Sequence, residues 1–155
     1  MWRLRFPGLT AAVRYLSLAV LMAIPGLFVA SLATAQTTQF YGSAGNYEGS
    51  ATSTGGVTEF YGSTGQYQGS SRLLGNGLQF FGPAGQYEGS ASQLGPTSQF
   101  YGPSGQYRGS SRPLDDTTQF YGSAGEYDGS ARSSGAMTEF YGADGRYEGS
   151  AIRQH

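Results

Sequence analysis

The chain has 155 residues, with 26 Gly, 12 Tyr and 9 Phe, no Cys, and a formal charge of −1. Without cysteine there is no disulfide framework, so the fold must be held by packing or by self-association. The basic residues are nine Arg and no Lys, spread thinly among ten acidic residues, which excludes a nucleic-acid surface.

Residues 1–35 differ in composition from the rest. Arg3, Arg5 and Arg14 precede an apolar run from Tyr15 to Ala30, and Ala33-Thr34-Ala35 stands before Gln36. A basic start, a short apolar core and an Ala-x-Ala end predict a helical secretory signal peptide cut between Ala35 and Gln36. The run is about 16 residues and contains Pro25 and Gly26, short of the ~18–20 needed to span a bilayer. The expectation is a bacterial protein that is secreted, periplasmic or at the cell surface, with no stable membrane span after cleavage. Removing the segment leaves six Arg against ten acids, a charge of −4.

Residues 36–155 form one repeat domain. A unit recurs with 20-residue spacing, starting at Thr38, Thr58, Leu78, Ser98, Thr118 and Thr138. Each copy carries an aromatic pair and Gly, as in Phe40-Tyr41-Gly42, then Gly45, Tyr47 and Gly49-Ser50. Aromatic runs around a short Gly-bearing gap predict a β-hairpin. Ser43-Ala44-Gly45 fits a three-residue loop, a type I turn closed by a residue with positive φ. Gly45, Gly65, Gly85, Gly105, Gly125 and Gly145 are structural at that last place, since glycine enters the left-handed region without a Cβ clash. Pro83 and Pro103 at the first loop position agree with that turn.

Counting outward from the loop, Gly42 faces Asn46, Tyr41 faces Tyr47, Phe40 faces Glu48, and Gln39 faces Gly49. Alternation puts Tyr41 and Tyr47 on one face and Phe40 on the other. The bare backbone at Gly49 leaves room for a ring to lie across it. Phe40, Phe60, Phe80, Phe100, Phe120 and Phe140 are therefore expected to be structural. The ligand-stacking candidates are the pairs Tyr41/Tyr47, Tyr61/Tyr67, Phe81/Tyr87, Tyr101/Tyr107, Tyr121/Tyr127 and Tyr141/Tyr147. The position shared by Glu48, Gln68, Glu88, Arg108, Asp128 and Glu148 accepts either charge, which predicts solvated surface.

Between hairpins, Gly55, Gly75, Gly95, Asp115 and Gly135 hold equivalent places, so a second turn is expected there. A lone two-stranded hairpin is marginal in water, so the hairpins must support one another. The predicted class is all-β, with tandem hairpins stacked as a solenoid or laid out as an extended meander. A chain that stays disordered until bound is the remaining alternative. Strands of about five residues argue against an outer-membrane barrel, whose strands need roughly 9–11.

From Thr38 to Ala151, the aromatic pair, the Gly-bearing gap, the bulky residue and the closing Gly-small pair resemble the cell-wall-binding repeats of choline- and glucan-binding proteins. More loosely they resemble the Tyr-containing hairpin repeats of bacterial secreted toxin proteins. The first resemblance implies a quaternary ammonium held in an aromatic box between adjacent hairpins. By position, that box would be Tyr41, Tyr47, Phe60 and Tyr61, with equivalents further on. The one Trp, Trp2, lies outside the repeats.

Catalytic chemistry finds few candidates. The single His, His155, is C-terminal, and Asp115-Asp116 is the only adjacent carboxylate pair and lies in a spacer turn. No phosphate-loop lysine exists. The expectation is a non-enzymatic protein with no cofactor and no metal site. Two roles remain: binding of cell-wall or extracellular polysaccharide through repeated aromatic faces, or a structural, self-associating protein that grows through unpaired strand edges.

Overall fold

A computed structural model describes residues 35–154. The predicted signal peptide, apart from Ala35, and His155 lie outside the described residues.

Twelve strands follow in sequence: β1 (Gln36–Gly42), β2 (Tyr47–Thr54), β3 (Val57–Gly62), β4 (Tyr67–Leu74), β5 (Gly77–Phe81), β6 (Tyr87–Leu94), β7 (Thr97–Tyr101), β8 (Tyr107–Leu114), β9 (Thr117–Gly122), β10 (Tyr127–Ser134), β11 (Met137–Gly142) and β12 (Tyr147–Gln154). Every strand pairs antiparallel with its sequence neighbours, and β1 pairs with β12, so the sheet is a closed barrel. The all-β repeat expectation holds. The solenoid does not: successive hairpins lie edge to edge in one sheet rather than face to face. Nor is the meander open, because its two outer strands meet. The mutual support that a lone hairpin lacks comes from ladder hydrogen bonds around the whole circumference.

The predicted loop forms in each copy. In the first, the Gly45 amide donates to the Gly42 carbonyl at 2.8 Å, the Gly42 amide donates to the Asn46 carbonyl at 2.9 Å, and Gly45 has φ +77°. The second turns are two residues long, with positive φ at Gly55, Gly75, Gly95, Asp115 and Gly135. Six three-residue loops thus ring one end of the barrel, the loop rim. Five two-residue turns and the ends of β1 and β12 ring the other.

Tyr41 pairs with Tyr47 as expected, but beyond it the register departs from the simple count. Phe40 lies opposite Gly49 rather than Glu48, and Gln39 opposite Ser50 rather than Gly49. A β-bulge at Glu48 inserts one extra residue on β2 and recurs in every hairpin. A one-residue slip moves all later side chains to the opposite face. It turns Ala51, Ser71, Ala91, Ser111, Ala131 and Ala151 inward and sends Ser50 and its equivalents out.

That switch builds the core. The six Phe and Leu78 fill the interior with the small residues between them. Phe60, for example, is flanked by Gly69 on one side and Ala51 on the other. A barrel of eight strands is just filled by ordinary side chains. Twelve enclose more, and one phenylalanine from every other strand, with Gly or Ala/Ser beside it, supplies an alternation of large and small side chains.

Gly49 has a role beyond the room it leaves beside Phe40, its cross-strand partner. Its φ is +152°, and a Cβ there would collide with the carbonyl oxygen of Tyr61 on β3. The bulge brings two backbones too close for any side chain.

Candidate functional site at the loop rim

The twelve stacking candidates form six cross-strand pairs on the outer face, all at the level of the loop rim. Ring centroids lie 6.0–6.2 Å apart with interplanar angles of 66–74°, edge to face. That is the arrangement favoured by the ring quadrupoles. The hairpin loop sets the pairing, and Gly42 and its equivalents start the loop one residue beyond the first ring. Within each pair the ring nearer the loop on the return strand is the more open, about 40% exposed at Tyr47 and 42% at Tyr107.

The other ring is anchored. The hydroxyl of Tyr41 donates to Gln39 at 2.9 Å, Tyr101 to Gln99 at 2.8 Å and Tyr121 to Gln119 at 2.9 Å. Tyr61 and Tyr141 donate instead to carboxylates, Glu59 at 2.9 Å and Glu139 at 3.1 Å. Those hydrogen bonds to an acceptor anion hold both phenols above the ordinary tyrosine value. Phe81 has no hydroxyl and makes the same ring contact with Tyr87 alone.

The four rings carried over from the resemblance are not brought together. Tyr41, Tyr47 and Tyr61 face outward, whereas Phe60 is in the core. The wall of the barrel separates them, so no box of that composition exists.

The bulge position is the part that sequence reasoning placed wrongly. Glu48 and Gln68 are buried, 4% and 2% exposed, and Glu88, Arg108, Asp128 and Glu148 are half-buried. This is an inward-facing ring at the mouth, not solvated surface. Glu48, Glu88, Arg108 and Glu148 have room because Gly42, Gly82, Gly102 and Gly142 face them without a Cβ. One built on Gly42 would collide with the Glu48 carboxylate, and one on Gly142 would fall 2.6 Å from that of Glu148. The missed sign was the pairing of an invariable glycine before the loop with a polar residue after it.

Residues at the loop exit brace the ring: Asn46 donates to Glu48 at 3.1 Å, and Gln86 to Glu88 at 2.9 Å. Burial, then the nearby carboxylates of Asp144 and Asp128, pushes the Glu148 carboxyl above its usual range. Burial lowers the Arg108 guanidinium from its ordinary value. At the opposite end, Arg132 pairs with Asp116 at 3.1 Å, and this hydrogen bond lowers the Asp116 carboxyl.

The charge is therefore segregated. The loop rim carries six acids, Glu48, Glu88, Glu126, Asp128, Asp144 and Glu148, against Arg108 and Arg146, a net −4. Elsewhere among the described residues, Glu59, Asp115, Asp116 and Glu139 are matched by Arg72, Arg112, Arg132 and Arg153. Among the described residues, no group of three or more His, Cys, Asp or Glu is placed to hold a metal ion. No protein-family model matches the chain, and no curated protein does.

Proposed function

We propose that this is an exported, non-enzymatic binding protein that takes a cell-envelope or extracellular polysaccharide on the girdle of aromatic pairs. The observation that carries the proposal is the repetition of one half-open, edge-to-face pair at the same height on all six hairpins. Sugar rings present apolar C–H faces that lie on aromatic rings. The Gln or Glu beside each anchored ring supplies hydrogen-bonding groups for hydroxyls. A repeating polymer meets a repeating site, so each contact raises the effective concentration for the next.

The outward face below the girdle supports a soluble, exported protein. It presents Gln39, Glu59, Gln79, Gln99, Gln119 and Glu139, alternating with Ser50 and its equivalents. A barrel that spans lipid turns an apolar band outward instead. The competing role, growth of fibres by strand addition, needs an unpaired edge, and β1 and β12 use theirs on each other.

The test is co-sedimentation of the purified protein with insoluble peptidoglycan and with neutral glucans. The proposal expects retention that falls in steps as Tyr47, Tyr87 and Tyr127 are replaced by Ser. Each stacked ring contributes on the order of 0.5–1.5 kcal/mol. No retention, or retention indifferent to these replacements, would remove the girdle as the binding surface.

A further inference from the structure

We infer a second site, on the inner side of the same wall: the acidic arc Asp128, Glu148, Glu48, continued by Gln68, binds an organic polyamine. Bulges are the means by which strands re-aim a side chain beside a functional site, and here the bulge aims these four residues into the barrel mouth. The arc is continuous only because the barrel closes. The β12–β1 seam places the sixth hairpin, with Glu148, next to the first, with Glu48.

Three observations define the ligand. Ionised carboxylates are acceptors only, and the loop rim keeps a net charge of −4 with Arg108 and Arg146 counted, which favours a donor that is also a cation. The carbonyl oxygen of Gln68 is buried and has no hydrogen-bond partner, in a side chain only 2% exposed. A buried acceptor left unmade costs free energy that an incoming N–H group recovers. The carboxylates are not gathered closely enough for a metal ion; they are spread over three consecutive hairpins. Spaced ammonium groups on a flexible chain match that spread, with several N–H donors at each charge. Asp128 and Glu148 are half-buried, while Glu48 and Gln68 are buried. This site and the tyrosine girdle lie on opposite faces of the sheet, so each can fail without the other.

Isothermal titration with spermidine at low ionic strength tests the inference. Saturable binding to the wild-type protein is expected, weakened about tenfold in Glu148→Gln and about tenfold in Gln68→Leu. The second substitution changes no charge and removes the orphaned carbonyl, so its circular dichroism and melting should match or exceed the wild type. Absence of saturable binding overturns the site. So does equal affinity in Gln68→Leu with both interactions abolished by salt, which would reduce the arc to a diffuse negative field.

Discussion

Gly49 on β2 and the carbonyl oxygen of Tyr61 on β3 approach so closely that no Cβ fits between them, and Gly49 holds φ at +152°. The contact fixes the bulge, and the bulge fixes which side chains face the core. Gly45, by contrast, has φ +77° with nothing within 4 Å of a built Cβ. Gly45→Ala should therefore cost only conformational strain, about 1 kcal/mol. Gly49→Ala adds a backbone collision to strain and should cost about 3 kcal/mol or more. Denaturant unfolding of the two variants measures the difference. Equal costs would mean the strands are not held this close.

Phe80 is 1% exposed and lies between Gly89 and Ser71. Neither neighbour can collapse into the space a truncation would leave. Phe80→Ala should cost about 3–5 kcal/mol. The rings one residue further along each strand, on the outside, should not behave this way. Tyr121→Ala removes a surface ring contact and should cost about 1 kcal/mol. Thermal unfolding separates the two classes, and a similar loss at both would contradict the assignment of inner and outer faces.

Much of the hairpin is legible in the sequence and the barrel is not, for separable reasons. The loop at Ser43-Ala44-Gly45 and the Tyr41–Tyr47 pair follow from local turn chemistry, and both form as expected. The pairing of Phe40 with Gly49 depends on one extra residue, and the glycine that marks it reads equally well as a place for ring packing. With that residue left out of the count, the face of Glu48 and its equivalents is misplaced, and the acidic mouth stays hidden. Closure is a property of strand number, twist and stagger summed over twelve strands, and no single repeat carries it. The outer girdle needs only alternation beside the loop, so its six pairs can be named in advance.

Glu148 gives a pH signature. Burial, Asp144 and Asp128 raise its carboxyl in the folded state above the ordinary value that applies when unfolded. The folded state thus binds the proton more tightly, and this residue's contribution to stability rises as pH falls through the raised value toward the ordinary one. At neutral pH the ionised group is a penalty. Glu148→Gln should melt higher than the wild type at neutral pH and together with it below the ordinary glutamate range. A gap that persists unchanged into acid would assign the effect to packing rather than to charge.

Closure of the sheet by β1 and β12 is the claim on which the core, the girdle and the mouth all depend. Gln39 and Ile152 are direct partners across that seam, both on the outer face. Directly opposed antiparallel residues sit about 4.5–5.5 Å apart at Cα, within the range a disulfide accepts. The chain has no cysteine of its own. Gln39→Cys combined with Ile152→Cys, oxidised at high dilution and digested for mass spectrometry, should give one intramolecular disulfide in nearly every molecule. Free thiols, or disulfides only between molecules, would show that the two ends of the sheet do not meet.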